Sequence, residues 1–172
     1  MEPDSINSYV RFMKELLFDH VDILPANYNI PDGTLTKEAI AEYCATYEEK
    51  IEALGGIDLQ ILGIGGNGHI GFNESGSLQN SKTRLVALDH ITRVAASKDF
   101  SGLNNTPRTA ITLGVKKIME AKQVILMAWG EGKSNIVQAS AEGPVTNQVP
   151  ASFLQEHNNA VYVLDKEAAS KL

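Results

Sequence analysis

The run Leu59-Gln60-Ile61-Leu62-Gly63-Ile64 leads directly into Gly65-Gly66-Asn67-Gly68-His69-Ile70-Gly71-Phe72-Asn73-Glu74-Ser75-Gly76-Ser77. No other stretch of the chain restricts the fold as much. A short apolar run closed by turn formers predicts a buried strand. The glycines after it allow positive φ and let a ligand approach the main chain closely. In open α/β sheets a loop of this kind lies at the carboxyl edge of the strands, where ligands bind. The stretch therefore reads as a site, with Asn67, His69 and Glu74 as its polar side chains.

Two chemistries compete for it. Gly63-Ile64-Gly65-Gly66-Asn67-Gly68 spells G-x-G-x-x-G after a predicted strand, and Asp89 follows at a spacing that suits a ribose-binding acid. That motif needs a helix to open at its third glycine, so that free N–H groups hold a pyrophosphate. Gly71, Asn73, Ser75, Gly76 and Ser77 are turn formers without helical apolar spacing, so the dinucleotide reading loses. The second chemistry is proton transfer. A histidine moves protons near neutral pH, and a carboxylate beside it fixes its tautomer and stabilises the imidazolium. His69 and Glu74 in one glycine loop favour this over a histidine that merely bonds its own turn.

Around the loop, strands alternate with helices, which predicts an α/β fold with a mainly parallel sheet. Ile6, Tyr9, Val10, Met13, Leu16 and Leu17 share one helical face, with Asp4 or Ser5 placed to cap it. A second helix, capped by Thr36 and stopped by Gly55-Gly56, carries Ile40, Tyr43, Cys44, Tyr47, Ile51 and Leu54 as its stripe. Cys44 belongs to that packing, and His20 and Asp22 to the end of the first helix. Further on, the pattern predicts strands at 84–88, 110–113, 123–129 and 160–164, helices at 90–97 and through Ile118 and Met119, a helical turn at 151–157, and a fraying helix at 166–172. His157 is a candidate neighbour of the ligand cleft.

A length of 172 residues with 43% hydrophobic content suits one domain with a real core. With 15 basic and 21 acidic residues, the formal charge of −6 gives no overall attraction to nucleic acid or an anionic membrane. No apolar run approaches the roughly 20 residues of a membrane span, and no signal peptide opens the chain. The one cysteine cannot form an internal disulfide, which predicts a reducing cytoplasmic setting. An anionic ligand would need local cations. Gly130-Glu131-Gly132-Lys133-Ser134 places a lysine in a glycine loop before a helix, which suits phosphate. It is not a P-loop, because the required first glycine would fall at Met127.

Gly66 to Glu74, G-N-G-H-I-G-F-N-E, resembles the signature of the isomerising glucosamine-6-phosphate deaminases, the shorter bacterial members above all. The resemblance extends through S-Y-V-R-F-M near the start and G-P-V-T…V-P-A-S-F-L-Q-E-H near the end. It implies a Rossmann-like sheet with flanking helices, shared with 6-phosphogluconolactonases and ribose-5-phosphate isomerase. It also implies conversion of glucosamine 6-phosphate and water into fructose 6-phosphate and ammonia, without metal or organic cofactor. By residue, His69 would move a proton at the sugar ring oxygen, Glu74 would orient it and share that proton, and Asn67 would orient His69. Gly65, Gly66 and Gly68 would form the ligand loop, and Lys98 and Lys133 would hold the phosphate. Many members carry arginine where Lys98 stands; lysine keeps the charge and loses the fork.

Members of the family usually carry an N-terminal T-G-G-T-P phosphate loop and a D-E-Y motif whose aspartate abstracts the substrate proton. Neither pattern occurs in these residues. The expectation is therefore a single domain over 1–172, the C-terminal two-thirds of the family domain, with its sheet incomplete at the N-terminus. Two departures are milder: asparagine at 67, where some members have aspartate, and Ser75, where proline commonly follows the glutamate and shapes the turn. The rival readings are a catalytically dead sugar-phosphate-binding fragment and a 6-phosphogluconolactonase-like hydrolase. The lactonase loop usually reads D-G-H-T-A-S-L-F-P, and Phe72-Asn73-Glu74 argues for the deaminase. Oligomeric state within the family ranges from monomers to hexamers, so a homo-oligomer is open.

Overall fold

The computed structural model describes residues 1–172. Helices α1 (Tyr9–Leu16) and α2 (Lys37–Ala53) precede strand β1 (Leu59–Gly63). Then follow β2 (Arg84–Ala87), α3 (His90–Ala96), β3 (Thr109–Thr112), α4 (Val115–Met119), β4 (Gln123–Ala128), α5 (Ser134–Ala141) and β5 (Ala160–Leu164). The sheet is parallel in the order β1-β4-β5, with Leu59 opposite Gln123 and Val124 opposite Ala160. β2 and β3 form a separate antiparallel ribbon, Arg84 opposite Thr112. Parallel pairing thus covers three of the five strands, and helices flank them as an α/β fold requires. No helix is long and apolar enough to cross a membrane.

One face of the sheet makes the core. Leu62, Val124, Leu126 and Ala128 point into it and meet Ile64, Ile70, Ile118, Val137 and Leu154. Period-two alternation sends Leu59, Ile61, Met127, Val161 and Val163 to the opposite face, where they are exposed. The buried strand expected at 59–64 runs over Leu59–Gly63 and is buried on one side only. α1 departs from expectation in the same way. Its stripe exists, but none of its residues is buried, and Ile6, Tyr9 and Leu16 are each at least 64% exposed. Its cap is Ser8, whose hydroxyl accepts from the Val10 N–H at 3.2 Å, rather than Asp4 or Ser5. Leu54, at the end of α2, is exposed rather than packed.

α2 is fastened through polar side chains as well as through Ile40 and Cys44. Buried Glu48 accepts from the Thr83 N–H at 2.6 Å and fixes the start of β2. Burial pushes the Cys44 thiol up, which suits packing and not nucleophilic use. Lys117 on α4 donates to Glu52 at 2.6 Å and to Glu120 at 2.8 Å, tying α4 to α2. Those bonds, Glu120 first, push the Lys117 ammonium from 10.5 up to about 12. A pKa raised on folding adds stability that is complete below the unfolded value and disappears as pH rises through the folded one. Lys117→Met should therefore cost about 1 kcal/mol near neutral pH, because both glutamates remain partly solvated. The difference from the parent in urea unfolding should shrink between pH 10.5 and about 12. A difference constant across that window would contradict the assignment.

The C-terminal stretch after Asp165 forms successive turns instead of a helix. Asp165 opens it with a contact of the helix-capping kind: its carboxylate accepts from the Ala168 N–H at 2.8 Å and also from the Gly130 N–H at 2.9 Å, which ties the first turn to the β4 loop. The seven residues beyond it are too few to sustain a helix alone. The segment at Pro150–Glu156 is a 3₁₀ helix that buries Ala151, Phe153 and Leu154. His157 beyond it serves the fold, not a cleft. Its Nε2 donates to the Ala121 carbonyl at 2.8 Å, and its Nδ1 accepts from the Asn159 N–H at 3.0 Å.

Candidate active site

β1 ends at Gly63, and the chain turns back on itself within six residues: the Gly65 N–H donates to the His69 carbonyl at 3.0 Å, and the Gly68 N–H to the Gly65 carbonyl at 2.9 Å. Two glycines are required by contact. A Cβ on Gly65 would collide with the His69 ring, so the imidazole lies flat against bare backbone there. Gly68 has φ of 82°, and a Cβ on it would meet Val149. No helix opens after Gly68. Asp89 caps α3 instead of waiting for a ribose: its carboxylate accepts from the Ile91 N–H at 2.8 Å. Both facts dispose of the dinucleotide reading.

Asn67, His69 and Glu74 meet in one bonded group. Glu74 Oε2 accepts from Asn67 Nδ2 at 2.7 Å and from His69 Nδ1 at 3.1 Å, and Oε1 accepts from the Asp89 N–H at 3.2 Å. A carboxylate faced by donors leaves the ring proton on Nδ1, so Nε2 carries the free lone pair. Asn67 works on the backbone of its neighbour too, because its Oδ1 accepts from the His69 N–H at 3.3 Å. The pair is shielded but reachable, with the His69 side chain 16% and the Glu74 side chain 11% exposed. Such an arrangement can take a proton at Nε2 and return it, with Glu74 stabilising the imidazolium.

Asn73 holds the loop in this shape. It is fully buried, and its Nδ2 donates to the carbonyls of Ile70 at 3.0 Å and Leu113 at 2.9 Å. Its Oδ1 accepts from Arg84 Nη1 at 2.9 Å. The Phe72 N–H donates to Thr112 Oγ1 at 3.0 Å. Ser75, expected to loosen the turn, instead ties it: its hydroxyl donates to the Gln148 carbonyl at 2.8 Å, beside the Gly76 N–H on the Asn147 carbonyl at 2.7 Å.

The two lysines stand differently. Lys133, at the turn before α5, donates to the Ile64 carbonyl at 2.6 Å, so it sits at the root of the glycine loop. Lys98 is exposed just beyond α3 and is not bonded into the group. Sequence reasoning missed Thr92 on α3, whose Oγ1 lies 3.2 Å from His69 Nδ1, and it missed the anchoring role of Asn73, Thr112 and Arg84. None has a local signal, since each acts across the fold.

A parallel sheet whose first strand delivers a bonded Asn–His–Glu group at its carboxyl edge defines a Rossmann-like α/β domain with a histidine–carboxylate pair at the ligand edge. Residues 1–163 match the family described as glucosamine-6-phosphate isomerases/6-phosphogluconolactonase, and the chain belongs to that family. It is 50% identical over 169 residues to a glucosamine-6-phosphate deaminase-like protein of Bacteroides thetaiotaomicron, covering 98% of this chain and 26% of that one. It is 47% identical over 170 residues to a glucosamine-6-phosphate deaminase of Hahella chejuensis, covering 99% of this chain and 64% of the relative. A solved structure described as a monomeric glucosamine-6-phosphate deaminase of the NagB superfamily is similar across the whole chain. Its TM-score is 0.95 at 36% identity, with 70% of that longer chain covered. The chain thus spans about a quarter and just under two-thirds of the first two relatives.

Proposed function

We propose that these residues form the acid–base and phosphate-binding part of a glucosamine-6-phosphate deaminase, which converts glucosamine 6-phosphate and water into fructose 6-phosphate and ammonia. The observation that carries the reading is the Asn67–His69–Glu74 group with Nε2 unpartnered at the strand end. Nε2 would exchange a proton with the sugar ring oxygen and so open the ring. Glu74 holds the compensating charge, and Asn67 fixes Glu74. Lys133 and Lys98 would hold the phosphate, the first from the loop root and the second from beyond α3. Removal of the proton from carbon two falls to a D-E-Y aspartate, a motif that these 172 residues do not contain. In this reading they make up the C-terminal two-thirds of the catalytic domain, set in the cytoplasm. The apolar outer sheet face suits further chain or a second copy. Within the family, Phe72-Asn73-Glu74 favours the deaminase over the lactonase, since Asn73 and Glu74 both have structural work in this loop.

Titration calorimetry tests the binding half. Glucosamine 6-phosphate should bind more tightly than glucosamine, and Lys133→Ala should reduce that advantage by about 1.5–3 kcal/mol, the scale of a charged hydrogen bond. Equal affinity for the two sugars would sink the reading.

A further inference from the structure

His69 Nδ1 has two oxygen neighbours, not one. Glu74 Oε2 reaches it at 3.1 Å from the same loop, and Thr92 Oγ1 at 3.2 Å from α3. Thr92 is 8% exposed and sits inside a helix whose Ile91 and Val94 are open to solvent, so it is the residue that this helix turns inward. We infer that Thr92 is a positioning residue for His69: its hydroxyl shares the Nδ1 proton with Glu74 and thereby fixes the ring with Nε2 as the open nitrogen.

The physical argument concerns rotation. A ring held by one hydrogen bond can swing about it, and a carboxylate that belongs to the same loop moves with the ring. A three-centre bond to two oxygens on different elements fixes the ring plane. The flank of the ring rests on Gly65, where no side chain could be accommodated. Glu74 is itself tied to α3, through the Asp89 N–H at 3.2 Å. Both members of the acid–base pair are therefore referenced to one helix, which ends at Ala96, two residues before Lys98. A shift of α3 would be felt at the imidazole through Thr92 and at the carboxylate through Asp89.

The inference rests on His69 being the proton carrier, but its test needs no turnover. The 172-residue protein is labelled with ¹⁵N-histidine, and ring nitrogen shifts are read at about pH 8.5, two units above the ordinary histidine value. Of the four histidines, His69 is identified by the signal lost in His69→Gln. The parent should show Nδ1 protonated and Nε2 bare. Thr92→Val and Thr92→Ala, two hydroxyl-less replacements of different size, should each lower the ratio of the Nδ1–H to the Nε2–H form about fivefold, the worth of one neutral hydrogen bond. Thr92→Ser should recover at least half of that loss. A fall of less than twofold in both hydroxyl-less variants overturns the inference, and so does a Thr92→Ser spectrum like that of Thr92→Val, which would mean that bulk matters and the hydroxyl does not. An absent ammonia release in a well-folded fusion that supplies the D-E-Y segment would count against the proposed reaction and leave these ratios standing, so the two failures are distinguishable.

Discussion

Assayed for ammonia from glucosamine 6-phosphate, the 172 residues by themselves are expected to give only trace turnover. On the proposed reading, ring opening at His69 makes no ammonia until a base removes the proton from carbon two, and the D-E-Y motif to which the resemblance assigns that base is not in this sequence. A positioned acid–base group contributes ~10²–10⁴-fold, which sets the size of the deficit. Joining an N-terminal segment that carries the T-G-G-T-P and D-E-Y motifs should restore release, and His69→Ala should remove most of what is restored. Glu74→Gln in the same fusion should cost nearly as much, because it removes the charge that supports the imidazolium at 3.1 Å. Robust activity from the chain alone would mean that another residue is the base. A well-folded fusion without activity would count against the deaminase reading and turn attention to Asn67 or to another substrate.

Much of this arrangement can be read from residue order, for reasons that are local. Leu59 to Ile64 must be a strand because its apolar run is short and ends in glycines, and Gly55-Gly56 must stop α2 because both adopt positive φ. His69 and Glu74 sit five residues apart in one turn-rich loop, so their meeting needs little from the rest of the fold. Other features depend on what the chain packs against. The α1 stripe is real in sequence, yet periodicity says that a face is apolar without saying what covers it. Lys166–Leu172 has helical propensity and a capping carboxylate in Asp165, but it is too short to hold a helix without packing and forms turns. Lys133 was legible as a cation near a strand end; its bond to the Ile64 carbonyl was not, since it joins residues 69 apart. Thr92 reads in sequence as an unremarked polar residue in a short helix, and only the fold brings it to His69.

Asn73→Ala should be among the most damaging single substitutions for stability, although Asn73 makes no hydrogen bond to His69. Its side chain is fully buried and makes three hydrogen bonds, two to carbonyls and one from a guanidinium. Truncation deprives the Leu113 carbonyl and Arg84 Nη1 of that partner, leaving Thr112 Oγ1 at 3.3 Å for the first and the Lys82 carbonyl at 3.1 Å for the second. An unsatisfied buried polar group costs roughly 1–3 kcal/mol, and with alternative partners left to Arg84 and the Leu113 carbonyl a loss of about 2–3 kcal/mol is expected in urea unfolding. Against a typical total of about 5–15 kcal/mol this is a large share. Burial holds the Arg84 guanidinium below its usual value, although its Nη1 keeps a second acceptor in the Lys82 carbonyl at 3.1 Å. Asn73→Asp should not rescue fully: it improves the partner for Arg84 but points an acceptor at the carbonyls of Ile70 and Leu113. The consequence reaches the site through one peptide bond, because Glu74 is aimed by the residue before it. Ring nitrogen spectra of Asn73→Ala should therefore show His69 losing its preference for the Nδ1–H form as well. A loss below about 1 kcal/mol with an unchanged His69 spectrum would mean that the ties of Phe72, Ser75 and Gly76 are sufficient to hold the loop.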